Sequence, residues 1–443
     1  MHRLRNLLEA LGSSLWFIPM LLFSGAVVLA LGLVELDSNI GRERLTDWPR
    51  LFGAGAEGSR GLLSTIAGSM ITVAGVTFSI TVVALALASG QYTSRILRNF
   101  MRDRANQVVL GVFVGVFAYC LVVLRTIRGG DEGAFVPSVA VLVAMLLAFG
   151  AIGFLIFFIH HIAASIQATS IIEAVAGETL DAVDRLFPAE VGGAAPEPVG
   201  EALEAGLTAL TWVAIPARKT GYVRGINADA MFNVAREQDV VVRMETGIGE
   251  FVIEGSPLAS VAGKQPDEES ILRLNAAYTV GRDRTVQQDA AYGIRQLVDV
   301  ALKALSPGIN DTTTAINCVD YLGAILARLA ARPVETPGRA DGHRLRLIAR
   351  GPTFAGLLAE AFDQIRQNAE GNVAVLARLL QVLSIVSTRT MDVDRRQALR
   401  HQEDLIVEMA ERSVASAHDR ATILAARDSG VERAAGTAHV DRG

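Results

Sequence analysis

Residues 62–89 read LLSTIAGSMITVAGVTFSITVVALALAS, 28 residues without a charged side chain. A helix needs about 20 mostly apolar residues to cross about 30 Å of hydrocarbon. A soluble core helix is rarely apolar on every face for so long. The stretch therefore reads as a membrane span, and it sets the class of the chain. At roughly 1.5 Å per residue it is about 42 Å long, so it must tilt or protrude. At alternating steps of three and four residues, Thr65, Gly68, Thr72, Gly75, Ser79, Val82, Ala86 and Ser89 share one stripe. All are small or β-branched, whereas Leu62, Leu63, Leu85 and Leu87 lie mostly off it. Small residues let helix backbones approach in lipid, and hydroxyls add inter-helix bonds of modest strength. Thr65, Gly68, Thr72, Gly75 and Ser79 are thus candidates either for a tight packing seam or for the path-lining face of a pore in an oligomer.

Three further stretches qualify as spans. They run from about Leu15 to Val34, opened by Trp16 as an interfacial anchor, from Val108 to Leu124, and from Phe135 to Ile159. The first is too long for a signal-peptide core and has no clear small-residue cleavage site, so it reads as a retained helix. Gly111 and Gly115 give the third span a GxxxG spacing, a common signal of close helix packing. No Asp, Glu, Lys or Arg lies deep in any span. Proton pumps and voltage sensors usually need such residues, so those readings are demoted; hydroxyl- or backbone-lined channels and simple anchors survive.

Orientation turns on lysine and arginine rather than net charge. With the N-terminus inside, Arg3, Arg5, Arg95, Arg98, Arg102 and Arg104 are cytoplasmic, and Arg42, Arg44, Arg50, Arg60, Arg125 and Arg128 are outside, six against six. Density breaks the tie, because four of the inside arginines fall between Gln91 and Asn106. The N-terminus and the soluble domain are therefore expected in the cytoplasm, and the chain in a bacterial inner membrane.

The 443 residues are 51% hydrophobic with mean hydropathy +0.36, and the apolar residues crowd before residue 160. A net charge of −5 implies no strong field toward nucleic acid. Only Lys219, Lys264 and Lys303 are lysines, which reads as a GC-rich bacterial coding bias. Cys120 and Cys318 lie far apart without metal-ligand company, so neither a disulfide framework nor a zinc site is suggested. His160 and His161 mark the exit from the fourth span; adjacent residues point to different helix faces, and they read as interface histidines.

The soluble part begins with a helical stalk to Leu186, stopped at Phe187-Pro188 and followed by a Gly/Pro/Ala linker to Gly200. Strands are expected at Thr211–Pro216, Gly221–Ile226, Asp239–Met244, Phe251–Ile253 and Pro257–Val261, with a helix from Ala228 to Gln238. The string from Gly249 to Ala259 is similar to a hairpin of the lipoyl/biotinyl-type barrel-sandwich fold, without the cofactor lysine at its tip. That likeness implies a structural barrel and no carrier role. Gln287 to Leu305 is helical in pattern, with Arg295 and Asp299 four apart as an ion pair. Ser306-Pro307-Gly308-Ile309-Asn310-Asp311 breaks it, and Asn310 or Asp311 caps a helix from Thr312 to about Ala330. Arg282, Arg284, Gln287, Asp289, Asn310 and Asp311 are expected to meet around this turn, either as a small-ligand site or as a capped, salt-bridged lock. Leu376, Leu379, Leu380, Leu383 and Val386 form one apolar stripe of the helices beyond Phe354, and the tail after Asp428 is expected to be disordered.

Three strings carry a family resemblance: Thr72-Val73-Ala74-Gly75-Val76-Thr77-Phe78-Ser79-Ile80, Gly293-Ile294-Arg295-Gln296-Leu297-Val298-Asp299, and the turn Ser306 to Asp311. The chain resembles the domain-of-unknown-function family number 2254, bacterial predicted membrane proteins, from about residue 5 to 410. The resemblance implies an inner-membrane location and transfers no activity. Members often carry a proline after the Asn-Asp pair, where this chain has Thr312, and a Ser-Pro-Arg-like turn where it has Thr93-Ser94-Arg95. The first change loses a favourable first-turn proline and keeps the cap.

The expected fold is an α-helical membrane protein with four transmembrane helices and a mainly helical α+β soluble C-terminal domain containing a small β-barrel-like module. Its parts are residues 1–160 (membrane), 161–200 (stalk and linker), 201–265 (α+β module), 266–427 (helical cytoplasmic domain) and 428–443 (tail). The functional expectation is a homo-oligomeric channel or conduit with a cytoplasmic assembly or gating domain. The alternative is a non-conducting, membrane-anchored ligand- or partner-binding protein. No nucleophile elbow, phosphate loop or metal-ligand spacing points to an enzyme. Membrane lipids are the expected partners, together with further copies of the chain; no cofactor and no nucleic acid is expected.

Overall fold

The computed structural model describes residues 16–39, 55–91, 103–129, 135–165, 167–187, 210–334, 338–341 and 344–427, with side chains of 87–91 left aside. The N-terminal decapeptide, most of the basic stretch after Gln91, the Gly/Pro/Ala linker and the tail lie outside the described residues. The chain divides into two compact units, Met1–Ser170 and Ile171–Gly443.

The first unit holds four helices long and apolar enough to span a membrane: α1 (Phe17–Asn39), α2 (Ala56–Gln91), α3 (Arg104–Thr126) and α4 (Ser138–Ser165). Helix α2 exceeds the expected span, since its 36 residues rise about 54 Å at roughly 1.5 Å each. Helix α3 is the hub against which α1, α2 and α4 pack. Its Gly111 and Gly115 admit α1: a methyl at Gly111 would stand 2.7 Å from Leu22 Cδ1 and 3.0 Å from the Pro19 Cα. At Gly115 it would stand 3.4 Å from the Ala26 Cβ. The GxxxG spacing is thus a seam within the chain.

Polar side chains, with Asp37 and Tyr119 buried, hold the ends of this bundle. Asp37, near the end of α1, accepts from the backbone N–H groups of Val139 (3.3 Å) and Ala140 (3.0 Å). It caps the first turn of α4, whose amides have no intrahelical partner. Tyr119 of α3 donates to the Ala140 carbonyl at 2.9 Å, and Arg60 of α2 donates to the Ile127 carbonyl at 2.8 Å. Asp103 caps α3 through the Ala105 N–H (2.9 Å) and pairs with His161 of α4, whose ring stacks on Phe157.

The second unit opens within α5 (Ala168–Leu186), the segment expected to be a stalk. Its apolar face, with Ile172, Val175, Ala176 and Val183, is buried within this unit. Arg332 ties it down through the carbonyls of Val183 (3.2 Å) and Phe187 (2.7 Å) and an ion pair with Asp184 at 2.7 Å. The strands β1 (Trp212–Pro216), β2 (Gly221–Ile226), β3 (Val241–Met244), β4 (Phe251–Val252), β5 (Pro257–Ala262) and β6 (Tyr278–Gly281) surround α6 (Ala228–Glu237) and α7 (Glu268–Ala277). They join β7 (Arg339–Asp341) and β8 (Arg344–Ile348) in two sheets, β1-β5-β3-β8-β7 and β4-β2-β6.

The small barrel-like module is not what forms. The string Gly249–Ala259 does not make one hairpin, because β4 pairs with β2 while β5 pairs with β1 and β3. The two strands join different open sheets, which share the core around Met231, Val242, Leu258 and Leu347. Helices α8 (Ala290–Leu305), α9 (Thr312–Ala330), α10 (Phe354–Asn368), α11 (Val373–Ser387) and α12 (Val393–Ser413) form a bundle. The stripe Leu376, Leu379, Leu380, Leu383 and Val386 is buried in it. Arg295 and Asp299 pair at 3.0 Å.

Candidate functional site

Helix α2 presents two different faces. Leu63, Ala67, Met70, Ala74, Thr77 and Ala84 are buried against the rest of the membrane unit. Thr65, Gly68, Thr72, Gly75 and Ser79 are all exposed, and nothing lies within 4 Å of a methyl added at Gly68 or Gly75. The structure therefore brings the five stripe residues together on a face that the described residues leave uncovered. Among the described residues no neighbour packs on the stripe, and the small-residue seam they form is on α3.

The stripe resolves into two lines. Thr65, Thr72 and Ser79 recur every seven residues, and beside them Gly61, Gly68 and Gly75 do the same. A seven-residue repeat keeps one face of a helix toward a partner in a left-handed pair. The glycine line removes side-chain bulk where a second backbone could approach. Thr65 donates to the Gly61 carbonyl and Thr72 to the Gly68 carbonyl, each at 2.8 Å. Their hydrogens are thereby used within the helix, and the oxygen lone pairs remain on the surface. The line presents acceptors in an apolar setting, which suits water or a cation rather than an anion.

The interior of the bundle is a poorer path. Its buried polar side chains sit toward the ends, as Asp37, Asn106, Gln107 and Tyr119 do, with Thr77 the exception in α2. Between them lie Phe113, Val116, Ala144 and Ala151, all buried. The buried amide of Asn106 and the hydroxyl of Thr77 have no hydrogen-bond partner among the described residues.

The polar residues expected to meet in the C-terminal unit do not form one cluster. Arg284 and Asp289 pair at 2.7 Å beneath the Gly249 turn, where φ is +84° and a methyl would meet the Asp289 carboxylate at 2.3 Å. Asp289 also accepts from the Tyr292 N–H at 3.2 Å and so caps α8. Gln287 donates to Glu178 of α5, and Arg282 is exposed. Asn310 and Asp311 lie beyond the other end of α8, whose 16 residues separate them from Asp289 by about 24 Å. There Asn310 takes φ +49°, and Asp311 caps α9 through the Thr314 N–H at 3.0 Å. The Thr314 hydroxyl and backbone bonds hold the Asp311 carboxyl below its ordinary range. Both groups act as helix caps, and among the described residues no group of three or more His, Cys, Asp or Glu could hold a metal ion.

Sequence reasoning missed Asp37 and the Asp103–His161 pair. A carboxylate in the last turn of one span and another just before the next are the signals that could have raised them.

A family model described as "Predicted membrane protein (DUF2254)" matches residues 12–384. Uncharacterized proteins from Mycobacterium bovis and from Mycobacterium tuberculosis are each 35% identical over 439 residues, covering 96% of this chain and 82% of the relative. No solved structure matches.

Proposed function

This chain belongs to the DUF2254 family of predicted membrane proteins, and from that premise we propose that it is a homo-oligomeric conduit of the bacterial inner membrane. In this reading copies meet along the glycine line of α2, the hydroxyl line of Thr65, Thr72 and Ser79 faces a central path, and the C-terminal unit assembles or gates it from the cytoplasm. The observation that carries it is the uncovered face of α2. Lipid gives no hydrophobic drive for helices to associate, so close packing across small residues does that work. A face with three glycines at seven-residue spacing, on a helix whose other face is already packed, offers that packing to another copy.

The test is flux together with proximity. Thr72→Cys is expected to cross-link between copies in liposomes, with Ile152→Cys on the exposed face of α4 as the unlinked control. Thr72→Trp is expected to abolish cation flux through the reconstituted protein. Absence of flux under voltage, osmotic and pH triggers, with Thr72→Cys unlinked, rejects the conduit. A second reading, a non-conducting anchor for a ligand-binding domain, is favoured by the internal hydrogen bonds of Thr65 and Thr72, which make their face tolerable to lipid. That reading predicts a protein that stays monomeric in the bilayer.

A further inference from the structure

We propose that the cleft beside the β1–β2 turn of the C-terminal unit binds an anionic amphiphile, its acidic head held by Arg218 and Lys219 and its apolar body laid along Leu272, Ala276 and Val280. The cleft encloses about 360 Å³, within the range of roughly 300–1,000 Å³ usual for small-molecule sites. It is walled by the turn after β1, by β5, and by the corner where α7 passes into β6.

The walls are fixed by bonds that use up their own polar atoms. The Asn275 amide donates to the carbonyls of Pro216 and Ile271, each at 3.2 Å, and its side-chain oxygen accepts the Arg218 backbone N–H at 3.3 Å. The Tyr278 hydroxyl donates to the Leu258 carbonyl at 3.0 Å. What remains for a ligand is an apolar surface, including Leu272 at 44% exposed, and the two cationic side chains. Arg218 and Lys219 are both exposed and have no ion-pair partner among the described residues. Most other arginines around the two sheets are paired: Arg243 with Glu245, Arg273 with Glu237, Arg339 with Asp229, Arg344 and Arg346 with Asp239, and Arg350 with Glu250. Two adjacent unpaired cations at the mouth of an apolar cleft select a ligand with one acidic end. A carboxylate or phosphate head satisfies them by charge-assisted hydrogen bonds, and an acyl chain covers Leu272 and the partly exposed apolar side chains beside it.

The head could belong to a free amphiphile or to an acidic membrane lipid, and the experiment separates them. The probe is octanoate, titrated calorimetrically into the full chain in phosphatidylcholine nanodiscs, with empty discs subtracted. Saturable binding at one site per chain is expected, with 1-octanol and inorganic phosphate each binding far more weakly. The double variant Arg218→Gln/Lys219→Gln is expected to weaken octanoate by about tenfold or more. Both side chains are exposed and unpaired, so the fold survives. Leu272→Asp, on the α7 wall, weakens it again. If phosphatidylglycerol in the discs competes with octanoate, the head is that of an acidic lipid; if it does not, the ligand is a free amphiphile. The proposal fails if octanoate gives no saturable binding, if the double variant binds it as the parent does, or if phosphate alone binds equally well.

Discussion

Two small-residue faces in the membrane unit look alike as sequence and differ as structure. Gly111 and Gly115 of α3 sit against Pro19, Leu22 and Ala26 of α1. Gly68 and Gly75 of α2 meet nothing. The spacing of small residues says that a helix face is narrow enough for close approach; it does not say which backbone approaches. On α3 the partner is in the same chain, and glycine is needed because a side chain would collide. On α2 no described residue supplies one, and replacing glycine there should leave the monomer intact. The comparison can be broken or sharpened by substitution.

The largest effect is expected in the C-terminal unit, where the same device recurs between α5 and α8. Gly293 of α8 faces Thr179 of α5 so closely that a methyl would stand 2.0 Å from Oγ1, 2.8 Å from Cγ2 and 2.9 Å from Cβ. No side-chain rotation moves the Thr179 Cβ, and its hydroxyl already donates to the Val175 carbonyl at 2.6 Å. Gly293→Val is expected to cost about 3 kcal/mol or more by overpacking, read as a lower denaturation midpoint of the C-terminal unit. Gly111→Leu comes next, at about 2 kcal/mol. The Leu22 tip can yield, but the Pro19 backbone cannot. Loss of α1–α3 packing would be read by accelerated unfolding in mixed micelles. Asp37→Ala removes the cap on α4 and leaves the amides of Val139 and Ala140 buried without an acceptor, a cost of about 1–2 kcal/mol. The same unfolding assay checks it, and Asp37→Asn should recover part of the loss because an amide oxygen still accepts.

The sequence was legible where a signal is local. Four spans follow from residue-by-residue hydropathy. The cap at Asp311, the helix Thr312–Ala330 and the pair Arg295–Asp299 follow from spacings of three or four residues, and they form as read. Partners distant along the chain were not legible. Asp37 meets residues about a hundred positions away, and Asp103 meets His161 58 positions away. The polar residues from Arg282 to Asp311 read as one cluster because they flank one helix; a rigid helix keeps its ends apart, so they form two caps. The strands around Gly249–Ala259 were legible as strands, but their pairing was not. Alternation of apolar residues reports which face is buried and not which neighbour supplies the hydrogen bonds. The candidate site followed the same rule: the α2 stripe was visible as periodicity, and its exposure became visible only once α3 had taken the other face.

The smallest expected effect on the fold is therefore the most decisive. Gly75→Leu adds a side chain where nothing lies within 4 Å and replaces a poor helix former by a good one. Stability of the isolated chain should change by no more than about 0.5 kcal/mol, in the unfolding assay that registers Gly111→Leu. Association should change a great deal, because a leucine on the glycine line holds two backbones apart. Counting photobleaching steps of labelled protein in liposomes is expected to give several copies per assembly for the parent and one for the variant, with flux lost in parallel. Two outcomes break the comparison in different places. If Gly75→Leu destabilises the chain as Gly111→Leu does, the α2 face is covered within the chain after all. If it changes neither stability nor copy number, the face meets only lipid, and the hydroxyl line has no axis to surround.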